Sequence, residues 1–112
     1  MRGWAAAFLL LGGCAALGGG GPRAPDPAAE RGHALAQRMC AACHAVEPGG
    51  ASPRSAAPPF GSSGLRHTAA LEGRLADLTR HGHYEMPPVA LRPEDVRDLA
   101  AYIESLSSGA QR

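Results

Sequence analysis

Cys40-Ala41-Ala42-Cys43-His44 is the stretch on which the reading of this 112-residue chain turns. Cysteines three positions apart are neighbours on one face of a helical turn, and the histidine follows without a gap. That order suits covalent attachment of a haem: each sulfur adds to one vinyl group, and His44 turns its imidazole beneath the ring as proximal iron ligand. A Cys-x-x-Cys is also the redox pair of thioredoxin-like proteins, but that use needs a strand–helix–strand setting, and no convincing strand pattern runs through the chain. Half of a zinc site is the third reading. A tetrahedral site wants a second pair of ligands, and no cysteine follows Cys43.

Upstream of the motif, Asp26 is a good helix cap and Pro27 a good first residue. Ala28, Gly32, Leu35, Ala36, Met39 and Cys43 then repeat at the spacing of one helix face, so a first helix runs into the cysteine motif. Gly32 on that face lowers helix propensity, and its use is to let another helix cross closely. Residues 19–26 are Gly-, Pro- and Ala-rich and read as a linker. Residues 1–18 read as a secretory signal: Arg2, the apolar run Ala5 to Leu11, then small residues. The run is short for a membrane span, which leaves an uncleaved anchor as the lesser alternative. Leu11-Gly12-Gly13-Cys14 looks like a lipobox at 11–14, in which Cys14 is lipidated and tethers the protein to a membrane; the competing reading discards Cys14 with the signal, by cleavage after Gly18. The lone tryptophan, Trp4, lies in this signal.

Downstream, residues 47–64 are rich in Gly, Pro, Ser and Ala. So long a loop argues against a compact domain unless a prosthetic group supplies the core that the loop wraps. Within it stands Ala57-Pro58-Pro59-Phe60. A second helix is expected from a cap at Thr68 to Arg80, with Leu71, Leu75 and Leu78 on one face and Gly82 ending it. His81-Gly82-His83-Tyr84-Glu85-Met86-Pro87-Pro88 forms another loop. The last helix starts at Pro93, with Glu94 and Asp95 suiting its dipole and Arg92 a poor cap; Val96, Leu99, Ala100, Ile103 and Leu106 form its apolar face, Tyr102 lies alongside, and Gly109 stops it. All eleven basic residues are Arg. They form no basic stripe, which excludes nucleic acid as a partner. The domain expected is 27–108.

Cys40-Ala41-Ala42-Cys43-His44, Ser52-Pro53, Ala57-Pro58-Pro59-Phe60, Met86-Pro87-Pro88 and Leu99 with Ala101-Tyr102-Ile103 follow one another as in the class I cytochromes c. The chain resembles that family from Ala28 to Leu106, especially the small exported bacterial monohaem members. The resemblance implies an all-α cytochrome c fold, about three helices and long loops around one covalent haem c. It implies Cys40 and Cys43 as attachment points, His44 as proximal and Met86 as distal iron ligand, the Pro58 carbonyl accepting from the other nitrogen of His44, and Phe60 pressed on the ring. It also places Gly32 where the first and last helices cross, against Leu99 and Tyr102. The chain departs from the pattern at Ala36, where an aromatic is usual, and in having no tryptophan for a haem propionate; Arg54, Arg66 and Tyr84 are the substitutes considered.

The function that follows is a one-electron carrier, not an enzyme, between exported or membrane-bound redox proteins such as a dehydrogenase, an oxidase or another cytochrome. The protein is expected in the periplasm, soluble or lipid-anchored, as a monomer. With no lysines, its docking surface is expected to be small and apolar, around Ala41, Ala42, Val46, Pro87, Pro88 and Val89. The alternative is a c-type haem protein with a labile distal ligand, acting as a small-molecule sensor or peroxidase-like enzyme. His81 and His83 are rival ligands beside Met86, and a gap-filling core methionine is the plain reading of Met86 itself. His33 and His67 read as surface residues.

Overall fold

The structure, a computed structural model, describes residue 21, residues 24–62 and residues 70–109, the side chains of the last two excepted. The signal (1–18), the lipobox with Cys14, half of the linker, and Arg66, His67 and Thr68 lie outside the described residues. Three helices account for the regular structure among those described: α1, Pro27–Met39; α2, Leu71–His81; and α3, Pro93–Gly109. An isolated bridge between His83 and Met86 is the sole β pairing among them.

Helix α1 begins as its sequence dictates. Asp26 is extended at φ −79°, ψ 115°, and its carboxylate accepts from the Ala28 N–H at 2.9 Å, with Pro27 at the first helical position. The helix buries Ala29, Gly32, Leu35 and Ala36. Two expected positions differ: Ala28 is half-buried while Ala29 goes inside, and Met39 is 47% exposed. Met39 is the last helical residue, two turns past the point where α1 crosses α3.

That crossing is made by Gly32. A Cβ there would lie 2.5 Å from the carbonyl carbon of Asp98 and 2.9 Å from the Cβ of Tyr102, so no side chain fits without moving backbone. Asp98 and Tyr102, with Leu99 between them, are thus the residues opposite the glycine. One residue away, Arg31 closes the crossing with a two-pronged bond to Asp98, at 2.8 and 2.9 Å.

The N-terminus of α3 repairs its own poor cap. Asp95 accepts from the backbone N–H of Arg92 at 3.1 Å, the reciprocal half of a capping box, and holds the Arg92 guanidinium through two bonds of 2.9 Å. Helix α2 differs more from expectation. It starts at Leu71 after Ala70, which makes no side-chain cap, so Thr68 is not its adjacent cap. It buries Leu71, Leu75 and Thr79, with Leu78 half-buried. Thr79 goes inside because its hydroxyl donates to the Leu75 carbonyl at 2.7 Å, so its own polar atom is paired where it is buried. Gly82 ends α2 at φ 74°.

The core is Leu35, Ala36, Val46, Phe60, Leu71, Leu75, Val96, Leu99, Ala100, Tyr102 and Ile103, with Cys40 and Ala41 packed against it. Val46 is 4% exposed, which removes it from the docking surface expected of it. The reason is its carbonyl: the Tyr102 hydroxyl donates to it at 2.5 Å and draws residue 46 against α3.

Candidate functional site

Helix α1 stops at Met39, but the chain keeps turning. Cys40 N–H and Ala41 N–H both donate to the Ala36 carbonyl, at 2.9 and 3.0 Å, and the Cys40 carbonyl accepts from Cys43 and His44, at 3.1 and 2.9 Å. Residues 40–44 thus form a tight turn on the end of α1. Both cysteines are half-buried and unpaired. Burial pushes the Cys40 thiol above its ordinary range, with Cys43 adding to the rise. A thioredoxin-like pair depends on a lowered thiol pKa; the shift here runs the other way.

Beyond the turn, residues 43–45 are clasped by the loop 52–60. Ala45 N–H donates to the Ser52 hydroxyl oxygen at 2.9 Å. Arg54 N–H donates to the Cys43 carbonyl at 3.1 Å and Phe60 N–H to the Ala45 carbonyl at 2.9 Å. His44 is held by its side chain: Nδ1 lies 2.8 Å from the Pro58 carbonyl oxygen. A carbonyl only accepts, so Nδ1 carries the proton and the lone pair is left on Nε2. The ring centroid of buried Phe60 stands 5.2 Å from that of His44, tilted by 52°. Pro58 and Phe60 therefore meet His44 through one short loop.

Met86 sits on a separate loop and is half-buried. His83 N–H donates to the Met86 carbonyl at 3.0 Å and Met86 N–H to the His83 carbonyl at 2.8 Å, closing a four-residue turn. Tyr84 takes φ 48° within it and is 96% exposed. Gly82 backs the turn; a Cβ there would lie 2.6 Å from the Met86 carbonyl oxygen. The rival histidines have other partners. His81 Nδ1 lies 3.0 Å from Asp77, and the His83 ring meets Tyr84 edge-on at 4.2 Å. His33 is more than a surface residue: it stacks on Tyr102 at 4.7 Å and bonds Glu47 at 2.7 Å.

The donor set fits a c-type haem. Two free thiols stand on one turn, next to an imidazole whose Nδ1 donates to the Pro58 carbonyl, leaving Nε2 to face a ligand. A zinc centre fits less well, since no three His, Cys, Asp or Glu side chains among the described residues are grouped to hold a metal ion. Three residues whose part in holding these loops the sequence does not display are Ser52, through its hydroxyl, Arg54, through its N–H, and Glu85, 3.7 Å from the Arg54 guanidinium. Of the three, Ser52 alone carried a signal, a serine before proline in a turn-rich stretch.

Comparison with known proteins agrees with this geometry. Residues 27–103 match the family model described as cytochrome C oxidase, cbb3-type, subunit III. The chain is 40% identical over 81 residues to cytochrome c-552 of Bradyrhizobium diazoefficiens, an alignment covering 70% of this chain and 77% of the relative. No solved structure matches.

Proposed function

The chain belongs to the class I c-type cytochromes and is an electron carrier on covalent haem c, and we propose that Cys40 and Cys43 supply its two thioethers, His44 the proximal ligand and Met86 the distal one. The observation that carries this reading is the 2.8 Å bond from His44 Nδ1–H to the Pro58 carbonyl. It selects the tautomer with a basic Nε2, orients the ring and strengthens it as a ligand. Held by His44 and Met86, a covalent haem would supply a one-electron iron couple, at a potential that thioether ligation by Met86 would raise.

The chain's own residues then do three things. The clasp at 43–45 fixes the proximal side against rearrangement when charge changes. Phe60 fills the space beside His44 with an apolar wall and excludes water. The 83–86 turn, stiffened by Pro87 and Pro88, restricts how far the Met86 sulfur can swing. With His44 and Met86 both held in place by their loops, a haem bound between them would change charge with little rearrangement of the protein and would be shielded from small ligands.

The domain proper is 27–108, exported by the signal at 1–18, with residues 19–26 as the linker between them. Lipidation at Cys14 would make it a tethered periplasmic protein. Among the described residues no helix is long and apolar enough to cross a membrane. Its partners are redox proteins, exported or membrane-bound, and it meets them as a monomer. Ala42, Pro87 and Pro88 are exposed, with Ala41 and Val89 half-buried, so they remain as the apolar docking residues after Val46 is withdrawn.

Changing Cys40 and Cys43 together to Ser tests the attachment. The expected result is loss of the haem-sized mass increment on denatured protein. A double variant that keeps this increment places the attachment elsewhere.

A further inference from the structure

The loop that clasps the cysteine motif also touches the loop that carries Met86, through the side chain of Arg54. Arg54 is fixed in the backbone, its N–H on the Cys43 carbonyl at 3.1 Å and its carbonyl accepting from Ala57 at 3.0 Å. Its guanidinium reaches across the sequence to within 3.7 Å of Glu85 Oε2. Glu85 is the residue immediately before Met86, inside the turn closed by His83 and Met86. Backbone bonds hold that loop at its two ends: Gly82 N–H on the Leu78 carbonyl at 2.8 Å, and Val89 N–H on the Thr79 carbonyl at 2.7 Å. Between them the Arg54–Glu85 pair ties the turn to the proximal side.

We propose that Arg54 is a positioning residue whose ion pair with Glu85 latches the Met86 turn to the 52–60 loop and slows departure of the methionine sulfur from the iron. The inference rests on Met86 as distal ligand. Both side chains are well exposed, at 63% and 75%, so the pair changes an equilibrium by no more than about fivefold and is weakened by salt. That suffices for a latch. It need not hold the fold together, only bias a turn between seated and lifted positions. A role for Arg54 in binding a haem propionate is a different assignment, and it gives Glu85 nothing to do.

The test is the saturating rate at which imidazole replaces Met86 in the ferric, haem-loaded protein, followed by the red charge-transfer band of methionine ligation. Arg54→Gln and Glu85→Gln are each expected to raise that rate about two- to fivefold at low ionic strength. The double reversal Arg54→Glu with Glu85→Arg is expected to return it to the wild-type value, and high salt to bring wild type up to the single variants. A Glu85→Gln variant that matches wild type while Arg54→Gln is faster overturns the latch and assigns Arg54 to another partner. A double reversal as fast as the two single effects combined overturns it equally. If the wild type lacks the red band and Met86→Ala leaves imidazole binding unchanged, the ligand assignment fails and the latch falls with it. A wild type that has the band, with Glu85→Gln silent, loses the latch alone.

Discussion

At the scale of single residues, the chemistry lies in side chains whose roles their types declare. A thiol, an imidazole and a thioether are recognisable in any conformation, so the roles proposed for Cys40, Cys43, His44 and Met86 rest on residue types and spacing that the sequence itself displays. Removing Met86 should separate them functionally. Met86→Ala is expected to lose the red charge-transfer band, to lower the reduction potential and to bind carbon monoxide or imidazole readily; optical titration measures all three. Retention of the band would assign the sixth ligand to another residue. What the sequence did not show are the supporting contacts, Ala45 N–H on Ser52 and Arg54 on Glu85. Exposed polar residues in loops follow no period, and the Arg54–Glu85 pair joins positions far apart in the chain. Nothing local marks such a pair.

At the scale of elements, apolar spacing located all three helices; α3 runs from Pro93 to Gly109 as expected, while α2 starts late, at Leu71 after an uncapped Ala70. Thr79 enters the core because its hydroxyl bonds to its own helix, and Arg92 caps α3 only because Asp95 reaches back to it. Gly32 was legible, since a glycine on a buried helix face needs a reason. Gly32→Ala would drive a methyl against the backbone of Asp98 and should cost about 1–3 kcal/mol, read as a fall in thermal midpoint of the loaded protein; an unchanged midpoint would mean that the helices do not cross there. Tyr102 ties α3 to the carbonyl of Val46, and Tyr102→Phe should cost about 1 kcal/mol at neutral pH. Burial, with the Glu47 charge adding, raises the Tyr102 pKa above its ordinary value. A raised folded pKa gives stability that is complete below the unfolded pKa, near ~10, and is lost as pH climbs through the folded value. Denaturant midpoints should therefore fall in wild type above about pH 10 and fall less in Tyr102→Phe. Parallel falls would show that another group titrates.

At the scale of the whole molecule, a domain of about eighty residues has a marginal core of its own. Here the long loop that looked too irregular for a compact domain is organised by the clasp on residues 43–45 and by Phe60, and the covalent haem completes the core. The sequence could not show that Val46 faces inward, because the bond that turns it comes from Tyr102 in the last helix. Export belongs to this scale too. If Leu11 to Cys14 is a lipobox, Cys14→Ser should block lipid modification and leave unprocessed precursor; a wild-type mature N-terminus downstream of Cys14 would leave export standing without the tether. The central claim is a haem closed on both faces by protein ligands, fit for passing electrons rather than binding substrates. Adding carbon monoxide to the reduced wild-type protein tests it most directly. With Met86 on the iron the absorption spectrum should stay unchanged over minutes; a rapid shift to a carbon monoxide spectrum would show an open iron site and contradict that closure.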